Sequence, residues 1–126
     1  MELTKLEIVT PRGVIFNQDV KSLTVPGSEG EFGILAKHAS LVSLLDAGVI
    51  EIEKEDGSKE LVAIDWGYAK VDESKVSILA NGALAISKDG EITKSLDEVD
   101  KLFESIVDSD APLAATRARI EQYARG

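Results

Sequence analysis

Short stretches of alternating apolar and polar residues follow one another from Leu3 to about Ile92. Turn residues, mainly Gly, Pro, Asp and Ser, separate these stretches. A period of two predicts strands that bury one face. About ten short strands with turns roughly every 8–12 residues are typical of an antiparallel sandwich or barrel. We therefore expect an all-β fold in this part of the chain.

Two of the turns favour tight hairpins. Asp56-Gly57 lies between two apolar runs, and Asp-Gly tolerates the positive φ that a tight turn needs. Asp72-Glu73-Ser74 separates a second pair of runs, and Asp89-Gly90 suggests a third turn. Glu51 and Glu53 alternate with apolar residues, a pattern typical of a solvent-exposed strand face.

The periodicity becomes helical near Ser95. Ser95-Leu96-Asp97-Glu98 has the form of a capping box, in which two side chains satisfy free amides at a helix start. Apolar residues then recur at helical spacing, namely Leu96, Val99, Leu102, Phe103, Ile106 and Val107. Asp110 and Pro112 indicate a second helix over residues 111–125.

These patterns divide the chain into three parts. We predict a β-domain over residues 1–87, a linker or short extra hairpin over 88–94, and an antiparallel two-helix hairpin over 95–126. A helical hairpin of roughly 30 residues buries too little apolar surface to fold alone. It must dock on the β-domain or on a partner, either as a releasable switch or as a permanent lid.

Composition excludes several kinds of chemistry. The 126 residues include no Cys and one His, which removes disulfides, thiolate nucleophiles and Cys or paired-His metal sites. The net charge of −9 disfavours nucleic acid and anionic lipid as partners. No apolar run approaches the roughly 20 residues that span a bilayer, and the first residues lack the apolar segment of a secretion signal. We expect no membrane insertion, no cofactor and no metal.

Catalysis finds little support in the sequence. A Ser-His-Asp site would have to use His38 with Ser40 or Ser43, but no G-x-S-x-G elbow is present. The glycine-rich stretch 27–33 lacks the Gly-Lys-Ser/Thr of a phosphate-binding loop. It fits either a mobile loop or a polar protein-contact loop anchored by Phe32.

Residues 25–50 carry a family resemblance. Val25-Pro26-Gly27-Ser28-Glu29-Gly30-Glu31-Phe32-Gly33-Ile34-Leu35, then His38-Ala39 and Gly48-Val49-Ile50, closely resemble the epsilon subunit of bacterial F-type ATP synthase. The resemblance extends over the whole chain. It implies an N-terminal β-sandwich followed by two helices, and no catalytic residues.

The resemblance also implies a role and partners. The epsilon subunit is a non-catalytic part of the rotor that couples ion flow to ATP synthesis. It works at the cytoplasmic face of the bacterial inner membrane as a peripheral protein. By position, the c-ring contact residues are Ser28, Glu29, Gly30, Glu31 and Phe32. The gamma-subunit contact residues are Thr10, His38, Ala39, Leu41 and Val42.

The family's C-terminal hairpin lies against the sandwich or extends toward the alpha and beta subunits, where it inhibits ATP hydrolysis. By resemblance, Arg117, Arg119 and Arg125 would face acidic loops of the catalytic subunits. Some members bind ATP through a motif at the first helix. Asp97 matches that motif, but Asp100 stands where its arginine belongs, so we expect weak or no ATP binding.

Other departures affect the contact segments. Ala36-Lys37 replaces the family's proline-glycine before His38, and Ser40 and Ala47 replace further prolines, so these segments are expected to be less rigid. Two other functional classes are considered beside the rotor subunit. One is a stand-alone β-sandwich that acts as a binding or adaptor module, and the other is a small hydrolase centred on His38.

Overall fold

The computed structural model describes residues 2–86, 92–106 and 110–125. The predicted turn at Asp89-Gly90 and most of the predicted linker over 88–94 lie outside these residues, as does Val107. The elements in chain order are β1 (Thr4–Thr10), β2 (Gly13–Gly27), β3 (Gly30–Leu35), β4 (Leu41–Leu45), β5 (Gly48–Lys54), β6 (Lys59–Ile64), β7 (Gly67–Val71), β8 (Lys75–Ala80), β9 (Ala83–Ile86), α1 (Ile92–Phe103) and α2 (Asp110–Arg125).

The long strand β2 belongs to both layers of a β-sandwich. Its first half pairs with β1, and the order β4-β7-β8-β1-β2 forms one layer, which we call the open sheet. Its second half pairs with β3 and β5, and the order β3-β2-β5-β6-β9 forms the other layer, the covered sheet. The change of partner coincides with a register shift between Val20 and Ser22.

This architecture confirms the predicted β-sandwich with two C-terminal helices. The pairing is antiparallel except between β1 and β8, which run parallel. Two apolar runs of the sequence, 14–16 and 20–25, lie in the single long strand β2. The hairpins at Asp56-Gly57 and at 72–74 are both present, with Gly57 at φ 86°.

Two apolar clusters hold the molecule together. The first fills the space between the sheets with fully buried residues such as Leu6, Ile50 and Ile78. The second lies between the covered sheet and the helices, where Phe103, Val99 and Ile120 are fully buried. The helical hairpin is therefore docked on the outer face of the covered sheet.

Helix α1 begins one turn earlier than the sequence predicts. The capping box placed its start at Ser95, whereas the helix already includes Ile92. Ile92 packs in the cluster beneath the helices, four residues before Leu96 on the same face. Tertiary packing of this face extends the helix past the local capping signal.

A close contact fixes α1 on the sandwich. Gly82, between β8 and β9, has no side chain, and a Cβ there would lie 2.7 Å from Leu102 Cδ1 of α1. Any larger residue would require the Leu102 side chain to shift. The glycine thus permits the close approach of helix and sheet.

Candidate binding surfaces

The outer face of the open sheet carries a continuous line of apolar side chains. One residue from each of its five strands takes part, because cross-strand partners in register share a face. We call this line the apolar row, and its members are Leu44, Tyr68, Leu79, Val9 and Val14.

The apolar row is open to solvent to an unusual extent. Leu44 is 66% exposed, Val14 59% and Leu79 42%. Val42 lies two residues before Leu44 on the same strand face and is 69% exposed. Scattered exposed apolar residues are ordinary, but a contiguous line across a whole sheet indicates a surface that a partner covers.

The glycine-rich stretch forms a tight hairpin rather than a mobile loop. Gly27 pairs with Gly30 across a two-residue turn, and Gly30 has φ 128°, which only glycine adopts without strain. Glu31 and Phe32 belong to β3. The Phe32 ring packs over Gly27, where a Cβ would lie 2.8 Å from its Cε1. Phe32 is thus half-buried against its own hairpin.

Two carboxylates mark this hairpin. Glu29 lies in the turn and Glu31 one residue beyond Gly30, and both are exposed. We call residues 28–31 the acidic turn. The turn is tied to the open sheet because the Ser28 amide donates to the Leu44 carbonyl oxygen at 2.9 Å.

The acidic turn and the apolar row border a single groove. The groove has a volume of about 500 Å³ and is lined by residues 27–32 and by Val42, Ser43 and Leu44 of β4. The structure therefore brings all the residues predicted to contact the c-ring, 28–32, next to Val42, which was predicted to contact gamma.

The other predicted gamma contacts are more dispersed. Thr10 is buried at the end of β1, where its Oγ1 accepts the Arg12 amide at 3.1 Å. Leu41 begins β4, three strands from β1 and about four residues away in register. Strand spacing of about 4.8 Å and a rise of about 3.3 Å per residue separate these ends by roughly 20 Å. Thr10 is therefore not adjacent to the segment 38–42.

His38 makes a local contact. Its Nδ1 lies 2.8 Å from the Ala39 carbonyl oxygen, which requires Nδ1 to donate the hydrogen. Ser43 Oγ donates to the Leu44 carbonyl oxygen at 3.1 Å. Lys37, at the position of the family's glycine, adopts φ 61°. This left-handed conformation explains why glycine suits that position.

Polar contacts join helix α2 to the covered sheet: the Tyr123 hydroxyl donates to the Lys59 carbonyl oxygen at 3.0 Å, and Arg119 reaches two carboxylates. Arg119 Nη1 lies 2.6 Å from Glu31 Oε2, and its Nη2 lies 2.5 Å from Glu51 Oε2. Lys59 Nζ also lies 3.1 Å from Glu51 Oε1. The hydrogen bond from Lys59 is the main reason that the pKa of the Glu51 carboxyl lies below its ordinary value, and Arg119 lowers it further. We call the set Glu31, Arg119 and Glu51 the arginine latch.

The latch corrects the interpretation of Glu51 as part of a solvent-exposed face. The alternation along β5 predicts which face points away from the sandwich, but α2 covers that face at Glu51. Glu53 pairs with Lys21 at 3.4 Å. No local signal revealed the latch, because Glu31 and Arg119 are 88 residues apart.

The other predicted arginines have different positions. Arg117 Nη1 lies 2.7 Å from Asp100 Oδ1 and 3.4 Å from the Leu96 carbonyl oxygen of α1. Arg125 is exposed at the end of α2, and Asp97 is exposed on α1. The residue that replaces the arginine of the nucleotide motif, Asp100, thus neutralises an arginine of the second helix.

Neither a metal site nor a membrane-spanning helix is found among the described residues. The described residues contain no group of three or more His, Asp or Glu side chains placed to hold a metal ion. Among the same residues, no helix has the length and apolar character that crossing a membrane requires.

Comparison with known proteins supports one family. Residues 3–86 match the family described as ATP synthase, Delta/Epsilon chain, beta-sandwich domain. The ATP synthase epsilon chain of Sulfurovum sp. (strain NBC37-1) is 54% identical over 126 residues, covering 99% of this chain and 98% of that protein. The chain belongs to the epsilon-subunit family of bacterial F-type ATP synthases.

Further epsilon chains and assembled enzymes agree with this assignment. The ATP synthase epsilon chain of Aliarcobacter butzleri (strain RM4018) is 53% identical, covering 98% of this chain and all of that protein. A chain of the Euglena gracilis mitochondrial ATP synthase, solved as OSCP/F1/c-ring, is similar with a TM-score of 0.64 and 27% identity, covering 96% of this chain and 74% of that chain. This epsilon-family chain is therefore a subunit of an enzyme complex.

Proposed function

We propose that this chain is a non-catalytic subunit of the central stalk, the rotor of a bacterial ATP synthase. It holds the gamma subunit with the apolar row and meets the c-ring with the acidic turn, and so helps couple ion translocation to ATP synthesis. It acts at the cytoplasmic face of the inner membrane as a peripheral protein, without a cofactor.

The apolar row is the observation that carries this proposal. The outer face of the covered sheet already has an occupant, the helical hairpin, whereas the outer face of the open sheet exposes Leu44, Tyr68 and Leu79 in register. Apolar and aromatic side chains flanked by polar positions such as Lys70 and Ser77 are typical of a stable subunit interface. Family membership makes gamma the natural occupant.

The helical hairpin supports a second part of the proposal, inhibition of ATP hydrolysis by an extended form. Only Thr116 and Ile120 of α2 are buried in the docked form. The docked contact is therefore small enough to be exchanged for contacts with the alpha and beta subunits. In the extended form Arg117, Arg119 and Arg125 would face acidic loops of those subunits.

The proposal excludes ATP as a tightly bound ligand. Asp100 stands where ATP-binding relatives have an arginine, and it pairs with Arg117. A phosphate placed there would meet a carboxylate and a neutralised guanidinium.

Charge placed in the apolar row tests the proposal. The Leu44→Glu variant should bind an epsilon-depleted catalytic sector that contains gamma at least about tenfold more weakly than the unaltered chain, because burying a carboxylate opposes docking. Surface-immobilised binding kinetics would measure the affinity. Leu35→Glu is the matched control, since Leu35 is 65% exposed on β3 but lies outside the apolar row. Equal affinity of the Leu44→Glu variant and the unaltered chain would contradict the proposal.

A further inference from the structure

Glu31 takes part in two surfaces at once. It belongs to the acidic turn, the proposed c-ring contact, and it accepts a charge-assisted hydrogen bond from Arg119 of the docked helix α2 at 2.6 Å. Arg119 is 30% exposed and Glu31 49% exposed at their side chains. The pair therefore lies at the rim of the docked hairpin, within reach of a protein that approaches the turn.

The two carboxylates of the arginine latch are not equivalent. Glu51 has Lys59 as a second cation, 3.1 Å away, so it stays paired if Arg119 leaves. Among residues 2–86, 92–106 and 110–125, Arg119 is the only cation within 4.0 Å of Glu31. Glu31 is thus the carboxylate of the latch with which a partner's cation can pair in place of Arg119.

The charge of the turn indicates the chemistry of that partner. Glu29 and Glu31 lie two residues apart in a chain of net charge −9. A complementary surface would present a Lys or Arg side chain to them. A second cation beside Glu31 would also be repelled by the Arg119 guanidinium. Each cation therefore pairs more weakly with this carboxylate when the other is present.

We propose that a cationic loop of the c-ring competes with Arg119 for Glu31, so that contact at the acidic turn weakens docking of helix α2. This inference rests on the proposed function for the identity of the partner. Thermodynamic linkage makes the effect reciprocal, because release of α2 strengthens binding at the turn by the same factor. Contact between the acidic turn and the c-ring thereby changes how tightly the helical hairpin docks.

The expected size of the coupling is modest. Partly exposed ion pairs contribute little, and screening by salt lowers their strength further. A coupling of about two- to fivefold in the equilibrium constant corresponds to such a pair. It should fall as ionic strength rises.

Amide hydrogen exchange in the isolated chain tests the latch. The Glu31→Gln variant should increase exchange of residues 113–125 about two- to fivefold, since Arg119 loses one of its two carboxylates. Glu29→Gln removes the same charge from the same turn, but Glu29 has no ion pair within 4.0 Å among the described residues, so its exchange should match that of the unaltered chain. Identical exchange in the Glu31→Gln and Glu29→Gln variants would overturn the latch.

Binding to two epsilon-depleted complexes tests the coupling itself. One complex is the catalytic sector with gamma but without the c-ring, and the other is the whole synthase. The Arg119→Gln variant should raise the ratio of affinity for the whole synthase to affinity for the catalytic sector about two- to fivefold, because Glu31 is released to the ring. Any effect of Arg119 on the catalytic subunits cancels in this ratio.

The Glu31→Gln background supplies the control. In that background the Arg119→Gln change should leave the affinity ratio unaltered. If the ratio is also unaltered when Arg119→Gln is made in the chain that keeps Glu31, the proposed competition is wrong. Failure of the unaltered chain to bind either complex would instead contradict the proposed function, so the two failures are distinguishable.

Discussion

At the scale of single residues, Asp65 shows how one buried carboxylate orders two loops. It follows β6 and is 4% exposed. Its oxygens accept hydrogen bonds from the Trp66 amide at 2.7 Å, the Gly82 amide at 2.8 Å and the Asn81 side chain at 2.7 Å. These bonds join the β6–β7 and β8–β9 connections, directly under Leu102 of α1.

Removal of this carboxylate should destabilise the protein. Asp65→Ala leaves three donors without their acceptor, and the expected loss is about 2–4 kcal/mol of the free energy of unfolding. Urea denaturation followed by circular dichroism would measure it. Asp46→Ala, at an exposed position, is the control and should change stability by less than about 0.5 kcal/mol. A loss of similar size in both variants would contradict this role of Asp65.

The sequence predicts which way a side chain points better than it predicts which residues that side chain contacts. The alternation along β5 correctly gives Glu51 an outward direction, but its partners lie in β6 and α2. Likewise, each member of the apolar row is one apolar residue in a different strand. Only the pairing of five strands makes Leu44 and Val14 part of one surface, so no local pattern could reveal it.

At the scale of elements, the contacts that hold the hairpin on the sandwich differ from those that hold the two sheets together. The sheets share a core of buried side chains, whereas the hairpin is held by a second, smaller apolar cluster around Phe103 and Ile120. The arginine latch and the hydrogen bond from the Tyr123 hydroxyl to Lys59 add polar contacts. Burial of apolar area dominates stability, so the hairpin should release before the sandwich unfolds.

Deletion of the helices tests their role in regulation. A chain that ends at Ile86 keeps the matched sandwich domain and the apolar row, and should still bind the epsilon-depleted catalytic sector. It should no longer inhibit, so the rate of ATP hydrolysis should be higher than with the full chain. A coupled spectrophotometric assay would compare the two at saturating protein. Equal rates would show that the helices are a permanent lid.

Elements with local signals were predictable, and elements that depend on distant pairing were not. Asp56-Gly57 predicts the β5–β6 hairpin because the turn is formed by these residues and their immediate neighbours, without any distant contact. The glycine-rich stretch suggested a loop, since Gly27 and Gly30 weaken the strand pattern around the β2–β3 turn. The parallel β1–β8 pair joins residues about 70 positions apart, which no turn sequence encodes.

At the scale of the whole molecule, the two outer faces of the sandwich serve different purposes. The covered sheet carries the helical hairpin, and the open sheet presents the apolar row. The acidic turn lies between them, bonded to Leu44 on one side and to Arg119 on the other. Under the proposed function, this placement brings the gamma contact, the c-ring contact and the docked helices together on one small domain.

The central claim is membership of a rotor that contains gamma and the c-ring. A tagged copy of this chain would be extracted from its own membranes in mild detergent, and the co-purifying proteins would be quantified by mass spectrometry. We expect gamma in equal amount to this chain, together with the catalytic subunits and the c-ring. Recovery of the chain without gamma would contradict the account and favour a stand-alone β-sandwich module.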